Sequence, residues 1–294
     1  MRNIDEDTIT QAVLASMSGC SNPRLHTIMT SLVQHLHAFA RDVKLTEAEW
    51  FKAIQFLTDV GHITDDKRQE FVLLSDTLGL SMLVTTQNNR KPPSCTETTV
   101  LGPFYVEDAP EFNNGDDLSR GAPGALCFVR GNVRGVNGEA IAGASMDVWQ
   151  SDEDGFYDVQ KTTAALDELV HSARGRLRTQ ADGSFHFRSI LAEAYPIPYD
   201  GPVGKMLDAL GRHPWRPAHL HFWIEAPGYE RLITHVFRDG DQYLDSDSVF
   251  GVRSSLIVEW VKHEAGIAPD GSAQNAPFYT LDYDFVLNPA GGAV

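Results

Sequence analysis

Cysteine is scarce in this chain, with three among 294 residues: Cys20, Cys95 and Cys127. They are scattered, odd in number and never in C-x-x-C spacing, so a reduced, cytoplasmic setting is expected. Positive charge is also in deficit. Lys and Arg total 24 against 40 Asp and Glu, a net charge of −16. A phosphate backbone needs a basic stripe, and none is present. Nucleic acid is therefore excluded as a partner, and an anionic membrane surface is disfavoured for the same reason. No apolar run is long enough for membrane insertion. Met1 to Thr10 is polar and acidic, without the apolar core of a secretory signal. Repeats and low-complexity tracts are missing too. What is there suits a globular protein: 42% apolar and 22% charged residues, enough for one large domain or two modest ones with a real core.

The first third reads as helix. Leu25, Ile28, Met29, Leu32, Leu36 and Phe39 recur at helical spacing. Thr46-Glu47-Ala48-Glu49 is a capping box. It opens a helix with Trp50, Phe51, Ile54 and Leu57 on one face and Gly61 as its stop. A further helix is expected from about Asp65 to Val84. It is apolar on more than one face, with Phe71, Leu74 and Leu78 on one and Leu73, Leu80 and Leu83 on others. Such a helix needs cover from a subunit interface or from a second domain. Gln87 to Cys95 breaks the pattern with an Asn pair and a Pro pair, and reads as a linker. Beyond it the period changes. Strands are expected at Leu126–Arg134, Ser145–Trp149, Ser184–Phe187, His219–Ile224, Leu232–Phe237, Ser255–Trp260 and Leu281–Val286, with turns at Asn137-Gly138 and Asp182-Gly183. The fold class is therefore α+β, a helical domain over 1–95 followed by an antiparallel β-sandwich over 96–294.

Arg216-Pro217-Ala218-His219-Leu220-His221-Phe222-Trp223-Ile224 carries the chemistry. Side chains alternate along a strand, so His219 and His221 share one face, roughly 7 Å apart along the backbone. Two neutral imidazoles held together are half of a metal site, and equally a cross-strand packing pair with satisfied hydrogen bonds. Arg216 places a fixed positive charge beside them. His35 and His37 have the same spacing on a helix, where it separates them onto different faces. Tyr157 in Asp154-Gly155-Phe156-Tyr157 and Tyr195 in Ala194-Tyr195-Pro196-Ile197-Pro198 stand in unusual settings, the second stiffened by proline. Taken alone, each reads as a buried ring with a hydrogen-bonded hydroxyl.

Together these segments resemble the intradiol ring-cleaving catechol dioxygenases, non-haem Fe(III) enzymes. The resemblance runs from the N-terminal helices to Phe285. It rests on Thr99-Val100-Leu101-Gly102-Pro103-Phe104, Gly155-Phe156-Tyr157, Tyr195-Pro196-Ile197-Pro198, and Gly211-Arg212-His213 leading into the histidine strand. It implies that Tyr157, Tyr195, His219 and His221 hold one iron per subunit. Phenolate suits a hard ferric ion, and a phenol ionises at neutral pH only beside a strong cation. It further implies that the aromatic diol binds before O2, that Tyr195 leaves the metal to help take up a substrate proton, and that Arg216 stabilises negative charge on the ring.

The resemblance places Leu73, Asp76, Val100, Leu101, Gly102, Pro103, Phe104, Ile197, Pro198 and Val249 around the substrate. Leu73 and Asp76, three apart on a helix, share a face. A buried carboxylate there suits a ring with an extra hydroxyl. Tyr243-Leu244-Asp245-Ser246-Asp247 and Val249-Phe250-Gly251-Val252 likewise resemble the hydroxyquinol branch of the family. Many catechol-cleaving relatives have glutamine where His235 stands. The expected activity is hydroxyquinol 1,2-cleavage, with catechol or chlorocatechol as alternative rings. A homodimer through the N-terminal helices is implied, with lipid bound at the interface. Two other readings stay open: a non-catalytic transthyretin-like β-sandwich module, suggested by Gly131 to Val148, and a zinc hydrolase using the two histidines.

Overall fold

The structure, a computed structural model, describes residues 2–65, 68–161 and 171–291. The chain packs as two compact units, Met1–His62 and Ile63–Val294. The first is built on α1 (Ile9–Ser16), α2 (Pro23–Asp42) and α3 (Glu47–Ile63). The Asn22 side chain starts α2 by accepting the amides of Arg24 and Leu25, both at 3.0 Å. The capping box at α3 forms as expected. The Glu49 carboxylate accepts the Thr46 amide at 2.9 Å, and the Thr46 hydroxyl accepts the Glu49 amide at 3.3 Å. Gly61 does not stop this helix, which runs on to Ile63. Glycine ends a helix by turning to positive φ, and Gly61 does not do so. Arg41 ties α2 to α1 by donating to the Glu6 carbonyl at 2.7 Å and the Thr10 hydroxyl at 2.9 Å. Leu25, Ile28, Leu32, Leu36 and Phe39 on α2, and Trp50, Phe51, Ile54 and Leu57 on α3, are exposed by 43% to 62%.

The helix expected from about 65 to 84 is in fact two, α4 (Glu70–Thr77) and α5 (Leu80–Asn88). Gly79 separates them at φ +74°, a conformation that costs an L-residue and breaks the helix. Arg212 pins this corner, donating to the Thr77 carbonyl at 2.6 Å and the Ser248 carbonyl at 2.9 Å. At the start of α6 (Pro202–Ala209), the Val203 amide donates to the Glu70 carboxylate at 3.1 Å.

The remainder is β-structure. In chain order the strands are β1 (Leu126–Gly135), β2 (Ser145–Gln150), β3 (Arg174–Arg178), β4 (Ser184–Ile190), β5 (Tyr195–Pro196), β6 (Trp215–Arg216) and β7 (His219–Glu225). Then follow β8 (Leu232–Arg238), β9 (Ile257–Val258), β10 (Val261–His263), β11 (Gly266–Ile267), β12 (Ala273–Gln274), β13 (Phe278–Asp282) and β14 (Phe285–Leu287). One sheet runs β3-β2-β7-β8-β9; the other runs β10-β13-β1-β14, with β4 also on β1. The sandwich is antiparallel in its main ladders, but β1 pairs parallel with β13 and β14, and β8 with β9. The strand expected over Ser255–Trp260 is split: it begins in a 3₁₀ turn, Ser254–Leu256, and only Ile257–Val258 forms strand, β9. The strand expected over 281–286 is broken at Tyr283, whose amide donates to the Arg130 carbonyl at 3.0 Å.

The two-residue period of the first sheet separates core from chemistry. Leu220, Phe222 and Ile224 of β7, Met146 and Val148 of β2, and Leu232 and Val236 of β8 join Val129, Phe185, Leu281 and Phe285 in the apolar core. The alternate residues His219, His221, His235 and Trp149 therefore face the other way. On a plain sandwich that outer face would meet water. Here the loops leave each of the four at most 1% exposed.

Candidate metal centre

Each side chain at this face is aimed by a local device. The Asp152 carboxylate accepts the amides of Asp154 and Phe156, both at 3.0 Å, and so folds the loop after β2. Gly155 takes φ +79° there, and a methyl on it would come within 3.0 Å of the Tyr195 Cβ. Glycine is thus required both by the turn and by the close packing of the two tyrosine segments. The Tyr157 amide donates to the Gln160 side chain at 2.9 Å. The next residue, Asp158, is held by Arg174 in a buried pair at 2.6 Å and by His171 at 3.1 Å. Tyr195 stands opposite Arg216 in the β5–β6 pairing. Tyr157, Tyr195 and Arg216 are each at most 2% exposed.

The structure brings these residues to one point. The Tyr157 hydroxyl lies 2.9 Å from His221 Nε2 and 3.5 Å from His219 Nε2, and the two Nε2 atoms are 3.1 Å apart. Tyr195 closes the group, with its ring centroid 5.2 Å from that of Tyr157 and 5.6 Å from that of His219. His219 Nδ1 lies 2.7 Å from the Pro217 carbonyl, which only accepts, so Nδ1 carries the proton and Nε2 presents a lone pair. This is the outer hydrogen bond that typically orients a metal-ligating histidine. His221 is stacked on Trp149 at 4.5 Å and 15°. Burial first, then Arg216, pushes His219 down to about 3. Burial and the neighbouring His235 hold His221 well below its ordinary value. Both are therefore neutral, as metal ligands must be.

The donor set fits a cation. Converging lone pairs about 3 Å apart repel unless something positive lies between them, and that is the spacing of two donors on one metal with bonds of about 2.1 Å. Burial, reinforced by Tyr195 and opposed by Arg216, pushes the Tyr157 phenol well above its ordinary value. Its phenolate is available only if a cation arrives. His219, His221 and His235 also form a cluster whose ligand atoms lie within 4.8 Å of one another.

A family profile described as "Dioxygenase" matches residues 100–289, and one described as "Catechol dioxygenase N terminus" matches residues 22–96. The chain belongs to the intradiol ring-cleavage dioxygenases. It is 56% identical to the 6-chlorohydroxyquinol 1,2-dioxygenase of Cupriavidus pinatubonensis, over 98% of this chain and 99% of that protein. It is 46% identical to the hydroxyquinol 1,2-dioxygenase of Nocardioides simplex, over 97% of this chain and 96% of that protein. The crystal structure of the hydroxyquinol 1,2-dioxygenase from Pseudomonas putida DLL-E4 shares 45% identity and a TM-score of 0.89, covering 97% of this chain and 98% of that one. The chain is thus an oxidoreductase of ring cleavage, which disposes of the transthyretin-like module and the zinc hydrolase.

Around the centre of this dioxygenase, Arg216 is locked by Asp247. Its Nε and Nη2 donate to the Asp247 carboxylate at 3.0 and 3.2 Å, leaving Nη1 directed at His219 Nε2, 3.4 Å away. Burial alone would raise the Asp247 carboxyl, but the Arg216 guanidinium holds it below the usual carboxylate range. Asp247 also accepts the amides of Gly251 at 2.9 Å and Val249 at 3.3 Å. Of the residues expected around a substrate, Phe104 stacks on Tyr157 at 4.5 Å. Gly102 lies against His221, where an added methyl would come 3.3 Å from Cε1. Asp76 feels the charges of Arg216 and Asp247, and burial raises its carboxyl despite a hydrogen bond from Ser81. Leu73, Val100, Ile197 and Val249 are buried; Leu101 and Pro198 are half-buried and Pro103 is exposed. They sit beside these residues in the chain, on α4 and on the segments around 100–104, 195–198 and 247–251. The sequence reading did not find the Asp247 counter-ion or the Asp158–Arg174 pair. The available signal for the first was Arg216 itself, since a buried guanidinium requires a carboxylate. His35 and His37 are ordinary, hydrogen-bonded to the Ser31 carbonyl and the Thr10 hydroxyl.

Proposed function

We propose that this dioxygenase inserts both atoms of O2 into hydroxyquinol (1,2,4-trihydroxybenzene), opening the ring between its 1- and 2-hydroxyls to 3-hydroxy-cis,cis-muconate, the tautomer of maleylacetate. The observation that carries the reading is the buried convergence of Tyr157, Tyr195, His219 and His221. These four would hold one non-haem Fe(III) per subunit. When bound, the ferric ion supplies Lewis acidity that draws electron density from a coordinated catecholate ring. The protein does the rest. As the phenolate, Tyr195 would take a proton from a substrate hydroxyl and become the neutral phenol, and its position opposite Arg216 keeps a positive charge beside it. Arg216 cannot deprotonate, so Nη1 offers a fixed cation to charge developing on the ring. Phe104 and Tyr157 form an aromatic wall, and the burial of the whole group excludes bulk water.

Two features support hydroxyquinol over catechol. The relatives named above are named for hydroxyquinols. Asp76 is a buried carboxyl, hydrogen-bonded by Ser81, whose remaining acceptor capacity suits a third ring hydroxyl. A chlorinated ring is the second reading, favoured by the relative named for 6-chlorohydroxyquinol. The exposed apolar faces of α2 and α3 support a homodimer built through region 1–95, with lipid at the interface. The scattered thiols support a cytoplasmic home.

The test is turnover of purified enzyme under isotopically labelled O2. Both labels should appear in the ring-opened product, with one O2 consumed per ring. A single label, or faster turnover of catechol than of hydroxyquinol, contradicts the mechanism or the substrate respectively.

A further inference from the structure

His235 is 0% exposed, and neither ring nitrogen has a hydrogen-bond partner in the protein. Buried polar groups without partners are rare, and each calls for a cause. A neutral imidazole carries one N–H and one lone pair, and here both are left over. The surroundings explain where a partner belongs. His235 is the in-register neighbour of His221 across the β7–β8 ladder, so it faces the same side of the sheet as the ligand pair. Its ring centroid lies 4.2 Å from that of His221 and 4.6 Å from that of His219. Among the described residues, the only other ring against it is Phe237, at 5.5 Å, which offers no acceptor.

Distance separates two roles for this residue. Donors bound to one metal stand about 3 Å apart, as the His219 and His221 nitrogens do at 3.1 Å. The ligand atoms of the cluster that includes His235 lie within 4.8 Å of one another. Neither His235 nitrogen hydrogen-bonds to His219 or His221, so the imidazole belongs to the cluster without joining the pair, and a small ligand placed between would give it a partner. We propose that His235 is the hydrogen-bond partner of the non-protein ligand at the metal centre, a water or small anion held beside His219 and His221. His235 then does for that ligand what the Pro217 carbonyl does for His219: it fixes orientation with one directed hydrogen bond. The inference rests on the ferric reading above and assigns a role to a buried imidazole which that reading leaves idle.

Fluoride is a suitable probe, because it is a small hard anion and a strong hydrogen-bond acceptor. Iron-loaded wild type, His235→Phe and His235→Gln are titrated with fluoride and followed by visible absorption, with iron content measured on the same samples. Wild type should hold one iron per subunit. His235→Phe should keep the iron and its colour but bind fluoride about tenfold more weakly. His235→Gln, which restores an N–H, should return affinity to within about threefold of wild type. His235→Leu replaces the phenyl variant, with the same expectation, if that one does not fold. Unchanged fluoride affinity in an iron-loaded apolar variant makes His235 a packing residue and overturns the proposal. Loss of iron from every variant makes it a ligand and overturns it equally. A wild type that takes up no iron defeats the ferric reading itself.

Discussion

Tyr195 and Arg216 face each other in a two-residue pairing, and much of the chemistry follows from that contact. On the proposed mechanism, removing the Tyr195 hydroxyl removes one oxygen donor and one proton acceptor. Tyr195→Phe should weaken the visible colour of the iron enzyme and lower kcat by at least about a hundredfold; absorption and steady-state rates read both. An unchanged spectrum removes Tyr195 from the ligand set. Asp76 makes a different kind of contribution. Its carboxyl is buried near Arg216 and hydrogen-bonded by Ser81, and its remaining acceptor capacity suits a third ring hydroxyl. Asp76→Ala should lower kcat/KM for hydroxyquinol about tenfold more than for catechol. Equal losses on the two rings remove its role in specificity.

Among the elements, the loop after β2 is the one that sequence patterns describe least and the centre needs most. Gly155 combines φ +79° with a 3.0 Å approach to Tyr195. Gly155→Ala should cost about 1–2 kcal/mol in stability and shift the visible band, because both tyrosines move. A shifted melting point with an unmoved band would separate the turn from the metal centre. The strands themselves were legible, since alternation exposes which face is apolar. His219 and His221 were found because the period of two put them together on the face opposite Leu220 and Phe222. The two helices α4 and α5 read as one because Gly79 lies within an otherwise continuous apolar pattern, and its turn to positive φ is fixed by packing, with Phe250 3.4 Å from where its side chain would start. The break between β13 and β14 depends on where Tyr283 meets β1, a contact more than a hundred residues away in sequence. Asp247 was invisible for the same reason: nothing local in its segment announces a guanidinium 31 positions earlier.

At the scale of the whole molecule, the buried histidines set the response to acid. In the unfolded chain an imidazole takes up a proton near pH 6.5, whereas folding lowers His219 to about 3 and holds His221 and His235 well below their ordinary value. Below pH 6.5 the unfolded state therefore binds more protons than the folded one. Stability is complete above that pH and is lost as pH falls toward the folded values, by about 1.4 kcal/mol per pH unit for each group. The metal-free protein should melt more than about 10 °C lower at pH 5 than at pH 7; a flat profile would mean that these imidazoles are accessible. The apolar faces of α2 and α3 make a separate prediction. Leu36→Glu together with Phe39→Glu, at positions already 55% and 53% exposed, should leave the chain folded but monomeric by sedimentation. A dimer that survives both changes does not use this face.

The central claim is that two phenols and two imidazoles from distant segments close on one ferric ion. The visible spectrum of the purified protein, taken with its iron content before and after anaerobic addition of hydroxyquinol, tests it most directly. One iron per subunit, a red-brown tyrosinate-to-iron band, and a change of that band on adding the ring compound are the predicted results. A colourless protein that takes up no iron, or a band that ignores hydroxyquinol, would contradict the account.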